Sequence, residues 1–321
     1  MTASSKLVTI IGGSGFLGRH ITRALARQGH RIRVAVRRPD LAGHVQPLGT
    51  PGQIMLVQAN LRYPESVEAA CAGSDVVINL VGVLFSSGGQ TFSTLHAHGA
   101  RVAARAAKNA GAAQFIQMSA IGADGHSASE YARTKAEGEA AAREEFPGAT
   151  IIRPSIVFGP EDNFFNQFAA MARFSPVLPL IGGGETRFQP VFVGDIAEAI
   201  AKLVANGNGN GKTWEFGGPA QRSFRELLEY VVEVTGRKRL LVPIPFALAR
   251  IMGTVLGLLP NPLLTADQVN LLKSDNVVSD AAIAEGRTLE GLGIKPEPIE
   301  AIVPEYLYRY RKAGQFSAPV I

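Results

Sequence analysis

Cysteine is nearly absent from this chain: Cys71 is the single thiol in 321 residues. No intrachain disulfide can form and no thiolate cluster can hold a metal, which leaves Cys71 as a buried structural thiol. Long apolar runs are lacking too. The most apolar stretch, Leu240 to Leu264, has Arg250 as its only charge but is broken by Pro243, Pro245, Pro260 and Pro262. A membrane span needs about 20 uninterrupted apolar residues, so this segment is not expected to cross a bilayer. Two fates stay open for Phe246 to Leu259: lying in a membrane interface or against a hydrophobic partner, or packing as an ordinary helix. No Lys/Arg tract interleaved with aromatics, no finger spacing and no repeated basic motif is present, and nucleic acid is not an expected partner. Close to Lys6 the chain enters a strand and then glycines, where a secretory segment would need an apolar core; none is expected. His96 and His98 stand two apart on a predicted helix and face different ways, so no metal pair is expected.

What is present is the composition of a folded α/β protein: 46% apolar residues, 18% charged and 35 glycines. The length exceeds the usual domain size of about 150 residues, so one large domain with a lobe, or two domains, is expected. A net charge of +5 suits an acidic partner, an anionic membrane surface or a phosphorylated ligand without choosing among them.

The chain is organised around Gly12-Gly13-Ser14-Gly15-Phe16-Leu17-Gly18. A β-branched strand, Leu7 to Ile11, feeds a glycine turn, and a helix from about Leu17 to Arg27 places Leu17, Ile21 and Leu25 on one face. Gly12 permits the turn, Gly15 lets backbone N–H groups approach a pyrophosphate, and Gly18 lets the helix lie close to the sheet. Phe16 and Leu17 border the same phosphates. The second strand, Arg31 to Val36, ends in Arg37-Arg38 where an NAD-selective fold would carry an acid for the ribose hydroxyls. Two guanidinium groups favour a 2′-phosphate, hence NADP(H); the bland alternative is a solvated basic turn.

Strand and helix patterns continue to alternate: Ile54 to Val57, a short helix through Val67 and Cys71, Val76 to Gly82, a helix from about Phe92 to Asn109, Gln114 to Met118, and Ala149 to Ile152. Strand ends bring Asn60 and Leu61 to the adenine, Val81 and Gly82 to the adenine ribose and pyrophosphate, and Met118 to the same crevice. Tyr131 and Lys135, four apart on a helix, make an acid/base pair in which the lysine favours the phenolate and can bond a nicotinamide ribose. A surface Tyr/Lys pair is the alternative. Later segments read as a smaller lobe: an apolar helical face through Phe164, Phe165, Phe168, Met171 and Phe174, a loop from Pro176 to Gly184, and a helix capped by Asp195. A loop from Val204 to Lys212, a short strand at Trp214 and a helix from about Phe224 to Val234 follow. Near the C-terminus, Tyr306, Tyr308 and Tyr310 alternate with Arg309, Arg311 and Lys312 as a basic aromatic tail.

Taken together, Gly12-x-x-Gly15-x-x-Gly18, Tyr131-x-x-x-Lys135, Arg153-Pro154 and Val191-Phe192-Val193-Gly194-Asp195 resemble the extended, atypical short-chain dehydrogenase/reductase superfamily. Met118-Ser119-Ala120-Ile121-Gly122-Ala123, with Tyr131 to Glu139, is similar to the branch that contains the 39 kDa accessory subunit of respiratory complex I and its bacterial relatives. The resemblance implies a Rossmann-like parallel sheet with helices on both faces over residues 1–160, completed by parts of 186–204. A smaller discontinuous C-terminal lobe would hold 161–185 and 205–321. It implies NADP(H) bound also by Pro154 and Ile156, and complex I subunits as partners on the cytoplasmic or matrix side of the membrane, with possible contact to lipid. In active relatives a serine or threonine after the fifth strand meets the substrate; here Ala120 takes that position and Ser119 falls one residue early. A structural NADP(H)-holding role is therefore expected. The alternative is an NADPH-dependent reductase, dehydrogenase or epimerase acting on a small carbonyl or sugar nucleotide through Tyr131 and Lys135.

Overall fold

The computed structural model describes residues 5–86, 91–207, 209–259 and 262–316. Asn208, inside the expected 204–212 loop, and Pro260 lie outside them. The chain opens with β1 (Leu7–Ile11), α1 (Phe16–Arg27), β2 (Arg31–Val36), β3 (Ile54–Gln58), α2 (Pro64–Cys71) and β4 (Val76–Asn79). A π-helical segment (Ser93–His98) then continues into α3 (Gly99–Asn109), followed by β5 (Gln114–Met118), α4 (Glu130–Glu145) and β6 (Thr150–Pro154). Next come β7 (Val157–Phe158), α5 (Phe164–Phe174), β8 (Val177–Ile181), β9 (Arg187–Phe188), β10 (Val191–Phe192), α6 (Val193–Asn206) and β11 (Thr213–Phe216). The last are β12 (Arg222–Ser223), α7 (Phe224–Val234), β13 (Leu240–Ile244), α8 (Phe246–Leu256), α9 (Ala266–Leu271), α10 (Asp280–Ala284) and α11 (Ile299–Leu307). Two compact units result: Met1–Arg153 with Gly194–Glu215 and Ala281–Ile294, and Pro154–Val193 with Phe216–Asp280 and Lys295–Ile321.

The first unit is a seven-stranded sheet in the order β11-β6-β5-β4-β1-β2-β3, and the pairs from β6 through β3 are parallel. β11 joins in the same sense, its Lys212 and Phe216 carbonyls accepting from Ile151 and Ser155. This is a doubly wound Rossmann-like sheet, whose strand order reverses between β1 and β4. Strand side chains alternate, so Ile11, Ala35, Val77, Phe115 and Ile151 share one face, where they form one core with residues of α2, α3 and α4. The alternate residues Ile10, Val34, Ile78, Ile116 and Ile152 are as fully buried. Burial on both faces is what βα crossovers impose, and it explains why these strands read as continuous apolar runs. The sequence pattern puts this strand in the lobe, whereas β11 is the edge strand of the main sheet.

The second unit has its own core, built from Phe158, Phe165, Leu178, Phe188, Phe224, Leu228 and Val303 among others. The region expected as a loop over 176–184 contains β8, which pairs in parallel with β13, Val177 opposite Leu240 through Ile181 opposite Ile244. The apolar face around Phe165 is core, as expected, although Phe174 is largely exposed. Asp195 is not the cap of α6: the helix starts two residues earlier, and the carboxylate lies in its first turn, where it complements the helix dipole. Among the described residues no helix is long and apolar enough to cross a membrane, and no group of side chains could hold a metal.

Candidate functional site

The carboxyl ends of β3, β2, β1, β4 and β5 lie side by side in the first unit, and nearly every expected site residue falls on them. At the end of β1, Gly12 turns with φ +81°, and a Cβ there would approach the Val81 side chain to 3.1 Å. Gly18 is closer still: its Cβ would fall 2.5 Å from the Gly13 backbone, so only glycine lets α1 start against the turn. Gly15 is different. A Cβ there would meet nothing nearer than the Gly12 carbonyl at 3.5 Å, and as N-cap of α1 it leaves the helix without a side-chain cap and with no acid in the first turn. Uncapped N–H groups beneath an open glycine make a cradle that fits the pyrophosphate of a dinucleotide. Phe16 and Leu17 stand partly exposed in the first turn, and the exposed His44 places Nε2 3.2 Å from the Ser14 carbonyl.

Beyond β2, Arg37 and Arg38 are both exposed. Arg38 forks onto Asp40 through Nε at 3.0 Å and Nη2 at 2.7 Å, while Arg37 makes no hydrogen bond or ion pair among the described residues. After β3, Asn60 is occupied in its own turn, accepting from the Arg62 amide, and Leu61 is buried. Val81 and Gly82 leave β4 pinned by Asn79, whose Oδ1 accepts from the Val81 amide while its Nδ2 donates to Gln117 of β5 at 2.9 Å.

Tyr131 and Lys135 project from the first two turns of α4, with the Lys135 ammonium 5.6 Å from the Tyr131 ring centre. Lys135 lies against the ends of β4 and β5: its Nζ is 3.5 Å from the Met118 carbonyl and 3.1 Å from where a Gly82 Cβ would be. Burial lowers its pKa to about 8 even though Glu139 opposes the shift. Burial likewise lifts the Tyr131 phenol to about 12. His96 completes the cluster from the π-helical segment, its ring edge-on to Tyr131 at 5.3 Å. Its Nε2 accepts from the Val83 amide at 3.1 Å, so Nδ1 carries the proton and faces Thr134 Oγ1 at 3.1 Å. Burial and then the Lys135 charge drive its pKa down to about 3, so the ring is neutral.

Ser119 is buried, and its hydroxyl donates to Glu139 at 2.5 Å. Glu139 also receives both arms of Arg153, at 2.8 and 2.7 Å, and Arg153 lies 3.7 Å from Glu215. The sequence raises His96 only as a metal ligand to be dismissed, and it marks neither Glu139 nor the Asn79–Gln117 pair as part of the site. Glu139 carried a readable signal, four residues beyond Lys135 on one helix; the other two depend on pairing between distant segments. Pro154, at the end of β6, and Ile156 belong to the second unit.

Residues 8–217 match the NAD dependent epimerase/dehydratase family. Over 98% of the chain it is 34% identical to the mitochondrial NADH dehydrogenase [ubiquinone] 1 alpha subcomplex subunit 9 of Arabidopsis thaliana, covering 80% of that protein. It is 37% identical to the ceramide reductase of Caulobacter vibrioides over 64% of this chain and 62% of that one. Among solved structures, the Citrobacter triphenylmethane reductase complexed with NADP(H) aligns with TM-score 0.73 at 20% identity, over 93% of this chain and 99% of that one.

Proposed function

Because the chain belongs to the NAD dependent epimerase/dehydratase family, whose members take a nicotinamide dinucleotide, we propose that it holds NADP(H) as an accessory subunit of a respiratory NADH:ubiquinone oxidoreductase. Relatives named as subunits of that complex, matched over nearly the whole chain, supply the partner. The dinucleotide then serves the fold and docking surface of the subunit, since a ligand bound only by the native state stabilises it by mass action. Gly12, Gly15, Phe16, Leu17 and Gly18 would hold the pyrophosphate, Arg37 and Arg38 the 2′-phosphate, Asn60 and Leu61 the adenine, and Val81, Gly82 and Met118 the ribose side. Tyr131 and Lys135 would hold the nicotinamide ribose. When bound, the cofactor supplies a hydride donor or acceptor.

The observation that carries the structural reading is Ser119. Its hydroxyl is committed to the Glu139 carboxylate in a buried network with Arg153, and Ala120 has none to offer. The test is purification of the tagged chain from gently solubilised membranes. Comigration with NADH:quinone activity and about one NADP(H) per chain is expected; a free soluble chain would overturn the assignment.

The reductase reading rests on one observation, Lys135 with a pKa near 8 packed beside Tyr131, and draws on the likeness to a ceramide reductase. NADPH oxidation by the purified chain with a long-chain ketone, abolished by Tyr131→Phe, would decide for it.

A further inference from the structure

Within the second unit, α8 presents two apolar stripes where a surface helix normally has one. Ala249 and Gly253 are buried against α9, and a Cβ on Gly253 would come within 2.7 Å of the Thr265 backbone. The other stripe points to solvent: Leu248, Ile251, Val255 and Leu258, spaced three or four residues apart, are 51%, 64%, 62% and 84% exposed. A second exposed apolar surface adjoins it in sequence and pairing. On the β8–β13 ribbon Leu240 stands opposite Val177, and Val242 lies on the same face, all three exposed. Phe174, just before β8, is exposed as well. The ribbon leads directly into α8, where the Phe246 ring seats on Gly182, the residue that follows β8.

The charges around this surface are mostly of one sign. From Asn163 to Gly184 and from Gly236 to Ala266 there is no Asp or Glu, while Arg173, Arg237, Lys238, Arg239 and Arg250 all fall within those stretches; Glu185 and Asp267 are the acids that border them, at the foot of β8 and in the first turn of α9. Arg173 and Arg239 stand close enough to Arg237 to lower its pKa by repulsion, beyond what burial does. Arg173 lies over the exposed Phe174 ring at 5.4 Å. Aliphatic side chains reaching outward beside a cluster in which cations outnumber acids suit a leaflet of anionic lipid: apolar tips enter the acyl boundary and basic side chains meet headgroup phosphates. The exposed stripe of α8 and the exposed residues of the ribbon are aliphatic, with Phe174 the single aromatic beside them, whereas a protein interface is typically anchored by several aromatic side chains.

We propose that the face formed by α8 and the β8–β13 ribbon is an interfacial anchor for an anionic bilayer. It places the chain on a membrane by its own chemistry, whatever complex it also joins, so it does not stand or fall with the assignment of partner subunits. The experiment is vesicle flotation of the purified full chain with neutral phosphatidylcholine and with phosphatidylcholine containing phosphatidylglycerol. Binding is expected to the anionic vesicles and not to the neutral ones, and to weaken with salt. Each basic residue near such a surface is worth roughly fivefold in partitioning, so Arg173→Gln, Lys238→Gln and Arg250→Gln combined should lower it at least about tenfold. Ile251→Asp with Val255→Asp, both exposed, should abolish flotation while melting temperature and NADPH binding stay as in the parent chain. Absence of flotation with either vesicle, or flotation that survives the double aspartate variant, overturns the proposal. So does concentration-dependent self-association abolished by that variant, which would assign the face to a second copy.

Discussion

His96 is neutral in the folded chain because burial and the Lys135 charge oppose its protonation, whereas the unfolded chain binds a proton near pH 6.5. The folded pKa is the lower one, so the unfolded state holds more protons between pH 6.5 and about 3, and stability falls as pH drops through that window. Each pH unit costs about 1.4 kcal/mol from this one group. Urea unfolding of the parent chain and His96→Gln from pH 7 to 5 should show the excess slope only in the parent; equal slopes would remove the argument. At the other end of the crevice Asp40 already occupies Arg38. Both side chains are exposed, so the pair is weak and a phosphate can replace the carboxylate. Asp40→Asn should tighten NADPH binding by up to about fivefold, with NADH little changed. The double variant Arg37→Ala, Arg38→Ala should erase the preference, and calorimetric titration of all three proteins with both dinucleotides measures it.

The β1–α1 turn separates two roles of glycine. Gly18→Ala forces a methyl to 2.5 Å from the Gly13 backbone, so α1 must shift, at roughly 1–3 kcal/mol, and dinucleotide binding falls with it. Gly15→Ala has room on the protein side, so its melting temperature should stay near that of the parent while NADPH binding weakens, because the methyl occupies the ligand's approach. Thermal melts with and without NADPH distinguish the two, and equal destabilisation would contradict this reading of the turn. These elements were legible because each obeys a local rule: glycine spacing, β-branched strands buried on both faces, and the four-residue period that joins Tyr131 to Lys135. Elements that depend on distant pairing were not. β11 is a short segment behind a glycine-rich loop, and its place beside β6 is set by partners some sixty residues away. β8 and β13 carry Pro179 and Pro243, which argue against strands until both prove to be edges of a two-stranded ribbon, where a missing donor costs little. The π-helical turn that aims His96 at Tyr131 has no sequence marker at all, and Ser119 could be doubted from its register but not traced to Glu139.

For the molecule as a whole, the pyrophosphate cradle can be uncoupled from the Tyr131 hydroxyl. If the dinucleotide stabilises a docking-competent fold, chemistry at the nicotinamide is dispensable and occupancy of the site is not. Tyr131→Phe keeps the ring that packs against Phe92 and His96 and removes one oxygen, so complex content and membrane NADH:quinone activity should stay near those of the parent. Arg37→Glu with Arg38→Glu places two carboxylates where a 2′-phosphate would lie, beside Asp40. Like charges there cost the protein its bound NADPH, and with it the stabilisation that grows as the logarithm of ligand concentration over its dissociation constant. At a cellular NADPH concentration about 100-fold above that constant, the loss is roughly 2.7 kcal/mol, enough to reduce the amount of a marginally stable subunit several-fold. The measurement combines subunit content by quantitative immunoblot, bound NADP(H) by enzymatic cycling and membrane NADH:quinone activity in both variants. Parallel falls in occupancy, subunit content and activity in the glutamate variant, with the phenylalanine variant intact, are expected. Normal assembly with an empty site, together with a defined NADPH-dependent turnover lost in Tyr131→Phe, would transfer the chain to the reductases of its family.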